Sequence, residues 1–437
     1  PINEATSQGL PVFTVAGIPP NPAGVMTIER PEIYFGEITS PWVAVNTRQQ
    51  EISGLNDDPV VTSYAGEGRG SVTLSNYLAR LVVAWNLGEN RLLFSGDITP
   101  ESRILLRRSI SERARAVAPF LLQDNDPYIV IVDGRLVWVI DAYTATDQFP
   151  GSTPNDGLNY LRHTAKITVD AYDGTVTLYQ WGEPDPVLQT WNKAFGGDLI
   201  RPQSEISASL RAHLRYPEDL FKVQRELLAG YHVTDAAEFY TREDFWEIPA
   251  DPAEAVNRSS AVSSNDSEQT AGQPAAIDIT RASVPAQPPF YSLLQFPGVP
   301  GEQFRLNTSF TGLRRPNLAA FASVSSDPDD YGTIRVLQFP RANAPNGPGQ
   351  VANQFLSEQV VADALFPFRQ NRAEVTFGNL LTIPAGEGLL YVQPVFVRAQ
   401  GGESFPTLQR VLVSYGNEVA ANTTLARSLA DLFGVRP

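Results

Sequence analysis

The 437-residue chain contains no cysteine, one methionine, three histidines and three lysines, and each shortage removes a class of chemistry. Without cysteine there is no disulfide, no thiolate metal site and no cysteine nucleophile, and the redox state of the compartment leaves no mark on the sequence. The histidines, His163, His213 and His232, fall in neither a His-x-x-x-His nor a His-x-Glu pattern, and no Gly-x-Ser-x-Gly elbow is present. A zinc or serine hydrolase would have to draw its residues from distant parts of the chain. No run of 18 uncharged apolar residues occurs; the densest stretch, "YIVIVDGRLVWVI" (128–140), is broken by Asp133 and Arg135, so no segment reads as a membrane-crossing helix. The opening "PINEATSQGLPVF" has neither Met nor the basic-then-apolar pattern of a secretory signal, and reads as the interior of a longer protein.

What is present is the composition of a globular chain, 42% hydrophobic and 19% charged, with length for two or three domains. The net charge of −15 is unevenly spread: residues 1–250 hold 32 acidic and 20 basic residues, 251–284 hold 5 and 2, and 285–437 hold 11 and 11. An acidic surface repels phosphate backbones and anionic headgroups, which argues against nucleic-acid partners and against electrostatic docking on a bilayer. Residues 251–289, rich in Ser, Ala, Pro and Asn, lack large apolar side chains and read as a flexible linker. The expected organisation is an acidic N-terminal α+β domain (1–250), that linker, and a β-rich C-terminal domain with two helices (290–437), α+β overall.

Within the first domain "PWVAVNT" (41–47) reads as a strand, and "DITPESRILLRRSISERARAVAPFLL" reads as one helix starting at Thr99, with Ile104, Leu105, Ile110, Ala114 and Val117 on its core face. The arginines of that segment, with Glu101 and Glu112 interleaved, read as a solvated face. Asp133-Gly134 and Asp173-Gly174 each separate apolar runs and predict hairpins with two-residue primed turns, with Val169 and Val176 facing the core. Two helices are expected in "YPEDLFKVQRELLAGYHVTDAAEFYTREDFWEIP", the second capped by Thr234 or Asp235. Strands are expected in "QFRLNTSF", "LAAFASV", "TIRVLQFP", "AEVTFGNLLTI", "LLYVQPVFV" and "LQRVLVSY", and helices near 350–363 and 421–433.

Several stretches invite a chemical reading. Asp-Ala-Tyr occurs at 141–143 and 170–172 and raises the question of a carboxylate pair; the triplets sit differently relative to their turns and read as packing motifs. Gly66, Gly68 and Gly70 precede a possible helix but lack the Lys-Ser/Thr of a phosphate cradle. Carboxylates mixed with Tyr231, Phe239, Tyr240, Phe245 and Trp246 would suit a sugar cleft, the basis of an alternative reading as an envelope glycan hydrolase or transferase. No catalytic or cofactor-binding residue is assigned. Asp124 and Asp126, with Asp327, Asp329 and Asp330, are the candidates for structural Ca²⁺, although neither cluster matches an EF-hand loop.

The phrases "SQGLPVFTVAGIPP", "PEIYFGE", "DNDPYIVIVDGRLVWVIDAYT", "TVDAYDGTV", "HLRYPEDLFKVQRELLAGYH" and "GNLLTIPAGEGLLYVQPVFV", taken in this order, resemble the large extracytoplasmic domain of a family of uncharacterised bacterial membrane proteins, found chiefly in actinobacteria and some cyanobacteria. The resemblance implies a parent protein with several N-terminal transmembrane helices, this domain outside the cytoplasm, and no established activity or catalytic residues. The expected role is a non-enzymatic binding or assembly module. Its expected partners are its own transmembrane segment, absent from this chain, and a second copy held weakly through residues 290–437.

Overall fold

The computed structural model describes residues 2–5, 11–13, 28–53, 60–66, 70–154, 157–265, 284–370, 373–398 and 406–435. Helices and sheets are mixed throughout, and the fold is α+β. Of the two compact units, one runs from Phe13 to Leu220 and the other takes Phe221 onward together with Ile2–Val12, so the boundary falls at 220 and not at 250. The reason lies in pairing: Trp246–Glu247 is an edge strand against Gln303–Gly312, which ties residues after 220 to the second unit.

The first unit is organised by a six-stranded sheet whose centre is the antiparallel pair Arg135–Thr146 and Tyr160–Asp170. Tyr128–Val132 and Leu122–Gln123 pair with the former, Val176–Gln180 and then Ile200–Arg201 extend the latter side. One face carries Ile140, Ala142, Ala165, Ile167 and Val169, packed against Phe35, Ile110, Ala114 and Leu188. A second sheet joins Trp42–Val45, Arg103–Leu106 and Ser71–Thr73. The expected single helix from Thr99 is therefore a strand, Arg103–Leu106, followed by a helix, Ile110–Val117. Ile104 and Leu105 are adjacent and both fully buried, which a strand between two layers allows and a one-faced helix does not. Arg107, at φ 50°, makes the break.

Of the two hairpins, the first is as expected: Val132 pairs with Arg135, and Asp133 and Gly134 have φ of 49° and 77°. The second differs. Its loop has four residues, 171–174, closed by Asp170 N–H to Thr175 O at 3.0 Å, and only Gly174 has positive φ. The Asp170 carboxylate causes this by accepting from the amides of Tyr172 and Asp173, both at 2.9 Å, which holds the chain in an Asx turn. Val169 and Val176 do pair across it and pack on the core.

The second unit contains two five-stranded sheets. Trp246–Glu247, Gln303–Gly312, Leu318–Ser325 and Ile334–Gln338 follow in order in one, with Phe290–Leu294 also on Gln303–Gly312. Glu374–Phe377, Gly388–Arg398, Thr407–Tyr415 and Glu418–Asn422 form the other, with Leu381–Ala385 on Gly388–Arg398. Helices Pro348–Ser357 and Gln359–Gln370 supply Val351, Phe355, Val361 and Leu365 to its core. The expected linker is ordered at its start: Pro252–Asn265 is helical, and Ala253, Ala255 and Val256 are buried. Small side chains that cannot build a core can still fill one made by larger neighbours. Residues 266–283 of that expected linker lie outside the described residues.

Candidate functional site

Polar residues from four segments converge on the second face of the six-stranded sheet. Ile140 and Ala142 point into the apolar core, so strand alternation sends Asp141 and Tyr143 the other way. Asp141 is thus mid-strand. Lys166 pairs with Asp141 and His163 with Tyr143. Residues three apart in a strand ordinarily face opposite ways, but the register shifts between Ala142 and Tyr143: Thr164 is the extra residue of a bulge, and His163 joins Lys166 on the polar face.

Lys166 Nζ donates to Asp141 Oδ1 and, at 3.2 Å, to the Arg215 carbonyl. His163 Nε2 lies 2.7 Å from the same carboxylate oxygen, and the Trp181 ring centroid is 4.9 Å from Nζ. Asp124 enters beside them, its amide donating to Asp141 O at 2.8 Å. Its own carboxylate accepts from the Tyr143 hydroxyl and from the amides of Asp219 (3.1 Å) and Asp126 (2.9 Å). At the edge, Arg215 binds Asp126 at 2.6 Å and stacks on Tyr128, 4.1 Å from its centroid.

Burial alone would raise the Asp141 carboxyl, but Lys166 and then His163 outweigh it and hold it below the usual carboxylate range. Burial lowers both Lys166 and His163, against the pull of Asp141. Burial also pushes the Asp124 carboxyl up to about 6, although the Tyr143 hydrogen bond works in the other direction. Carboxylate, amine and imidazole within contact distance are the parts of a general acid–base centre. Here they are largely enclosed: Asp141, Tyr143 and Lys166 are buried, with Lys166 at 1% exposure, and the His163 side chain is 7% exposed. The set acts instead as a register lock, because a slip of one residue would carry both charges into the apolar face.

The calcium candidates are engaged by other groups. Asp124 and Asp126 are held as described; Asp327 accepts from the Asp329 amide at 3.1 Å, and Asp330 pairs with Arg335 at 3.4 Å and Arg305 at 3.6 Å. Among the described residues no three His, Asp or Glu side chains surround a common point. Asp170 lies in its turn, paired with Arg135 at 2.7 Å. His213 binds the Ser209 carbonyl at 2.7 Å, and His232 stacks on Trp246 with centroids 3.5 Å apart.

Open space occurs in the second unit. A groove of about 620 Å³ is walled by Leu337, Phe339, Tyr391 and Tyr415 and rimmed by Asn343 and Asn417. Two tight turns shape it, and Gly388 is required because a Cβ there would sit 2.7 Å from the Tyr415 hydroxyl. Among the described residues Glu387 is its one carboxylate. A smaller cavity of about 210 Å³ contains Glu243, Asp244 and Trp246 from the aromatic-carboxylate segment, but Asp244 is paired with Arg341. Tyr231, Phe239 and Phe245 pack on one another, and Trp246 is buried.

Comparison with known proteins gives a family without an assigned role. The model for "Uncharacterised protein family (UPF0182)" matches residues 1–368. A UPF0182 protein of Frankia alni is 39% identical over 457 residues, covering 99% of this chain and 42% of that protein. One of Streptomyces coelicolor is 40% identical over 458 residues, covering 99% and 43%. One of Thermobifida fusca is 42% identical over 392 residues, covering 84% and 36%. The chain therefore spans less than half the length of these relatives. No solved structure matches.

Proposed function

We propose, for a chain that belongs to the uncharacterised protein family UPF0182, that it is the extracytoplasmic portion of a multi-span cell-envelope protein and works as a non-catalytic binding or assembly module. The observation that carries the non-catalytic reading is a separation. Of the groups able to exchange protons, Asp141 and Lys166 are buried and the His163 side chain is 7% exposed, while the 620 Å³ groove open to a ligand offers, among the described residues, one carboxylate, Glu387. Glycoside cleavage needs two carboxyl groups flanking one bond. Binding needs only shape, apolar walls and a few polar anchors, which the groove has.

The envelope location is supported by the resemblance of the sequence phrases and by the relatives' greater length, which leaves room for membrane-spanning segments elsewhere in the parent; no helix among the described residues is long and apolar enough to cross a membrane. A second copy would meet through residues 290–437, where acidic and basic residues balance at 11 each. These 437 residues contain no cysteine, which allows a labelling test. Exposed Ser152 replaced by cysteine in the full-length protein should add a site labelled by a membrane-impermeant maleimide in intact cells, beyond any labelling of the unsubstituted protein. Labelling only after lysis would overturn the extracytoplasmic assignment. Release of reducing ends from purified cell-wall glycan by the chain would overturn the non-catalytic one.

A further inference from the structure

The helix Tyr77–Leu87 is apolar on both sides. Asn76 caps it, accepting from the Ala79 amide at 2.9 Å, and Gly88 ends it in the left-handed conformation. Its inner side, Val83 and Ala84, packs on Leu74, Leu92, Ile98 and Ile104. Its outer side carries Tyr77, Leu78, Leu81, Val82 and Trp85, all exposed, with Leu78 at 68%, Val82 at 60% and Trp85 at 87%. At about 100° per residue these five fall within one stripe on the order of 140° wide. Phe94, in the adjoining short helix Arg91–Phe94, is 81% exposed as well. A helix hydrophobic all round is ordinarily covered, and soluble surfaces rarely leave such a stripe in water.

We infer that this stripe lies in the headgroup region of a lipid bilayer, with the helix parallel to the membrane plane; the inference rests on the envelope reading above. Its chemistry is interfacial: tyrosine at one end, tryptophan at the other and branched aliphatics between, the side chains that settle at the boundary between headgroup and acyl chain. Charge favours the same occupant. The stretch from Tyr77 to Phe94 holds Arg80, Glu89 and Arg91, a net of +1, inside a 250-residue region of 20 basic and 32 acidic residues. The helix itself has no acidic residue to be repelled by phosphate. A second copy on this face would instead bring two strongly acidic regions together. Attachment is apolar, so it does not conflict with an acidic surface that disfavours electrostatic docking, and it favours zwitterionic over anionic lipid.

The test is flotation of the 437-residue chain with phosphatidylcholine vesicles, beside the triple variant Leu78→Ser, Val82→Ser, Trp85→Ser. The chain should float with the vesicles, and the variant's partition should fall by about tenfold or more, because it forfeits the apolar area that enters the interface. Circular dichroism and melting temperature should be unchanged, since the three side chains are exposed. Equal flotation of chain and variant, or no flotation of either, overturns the inference. So does a dimer seen by light scattering that the same substitutions dissolve, which would make the face a contact between copies. Cytoplasmic maleimide labelling with intact vesicle binding would instead overturn the envelope reading and leave the lipid-binding face standing.

Discussion

Replacing Asp141 with alanine should lower the unfolding free energy of the first unit by about 3–5 kcal/mol, the range for removing one partner of a buried ion pair. The substitution removes the buried carboxylate to which the Lys166 ammonium donates. It also removes the group on which His163 Nε2 rests at 2.7 Å. The double variant Asp141→Leu, Lys166→Met should lose far less than the single one, because it takes away both charges and keeps the volume, a change that is often neutral. Urea denaturation at neutral pH reads both. A cost of under about 1 kcal/mol for Asp141→Ala would mean that the pair is solvated in a way its burial contradicts.

The second large effect is expected at Gly174. Valine there should destabilise the same unit by roughly 2–5 kcal/mol, from a strained φ and from overpacking together. The residue sits at φ 72°, where a branched side chain is disfavoured, and a Cβ would lie 2.7 Å from Phe35 Cζ. The ring cannot step aside. Its amide donates to Ala171 O at 2.9 Å, its carbonyl accepts from Trp138 Nε1 at 3.0 Å, and the Arg113 guanidinium covers its face at 4.4 Å. Arg113 Nε also donates to Gly174 O at 2.5 Å, which fixes the turn from the other side. Gly182 separates the two causes, because it has a similar φ of 69° and nothing within 4 Å of its missing Cβ. Alanine at 182 should cost only the strain, about 1 kcal/mol. Equal losses at the two sites, measured by urea melts of the alanine variants, would show that the Phe35 contact contributes nothing.

Much of the fold was legible because local chemistry and tertiary structure agree. The Asp133-Gly134 turn, the Asp235 cap with bonds to the amides of Ala237 and Glu238, and strands of the second unit such as Gln303–Gly312 and Leu318–Ser325 stand where their patterns point. Legibility failed where tertiary pairing overruled a local signal. Arg103–Leu106 carries good helix formers, yet it is the middle strand of a three-stranded sheet, and pairing on both edges decides. The Asp173-Gly174 turn lengthened because a side chain, Asp170, competes for the backbone amides. The division of the chain at 220 depends on a two-residue strand at 246, too short to leave a periodic trace.

The buried cluster was hidden for a more specific reason. Alternation along a regular strand places His163 and Lys166 on opposite faces, and only the bulge at Thr164 unites them. Asp141 and Tyr143, two apart, did carry a usable signal as the first Asp-Ala-Tyr. The second copy, lodged in a turn, obscured it by suggesting one meaning for both. The outward stripe of Tyr77–Leu87 was not legible either, since a helix apolar on two sides reads the same whether its outer face is covered or bare.

Among the described residues Asp141, His163 and Lys166 bring carboxylate, imidazole and amine together, and the proposal of a non-catalytic role requires that this assembly serve the fold and stay closed to substrate. Lysine scarcity makes a direct measurement simple. The three lysines are Lys166, Lys193 and Lys222, and Lys193 is exposed. Amine acylation of the native chain, followed residue by residue with mass spectrometry, should modify Lys193 readily and leave Lys166 untouched until the chain is unfolded in urea. Labelling of Lys166 in the folded protein at a rate equal to or above that of Lys193 would contradict the account and reopen the cluster as an active site.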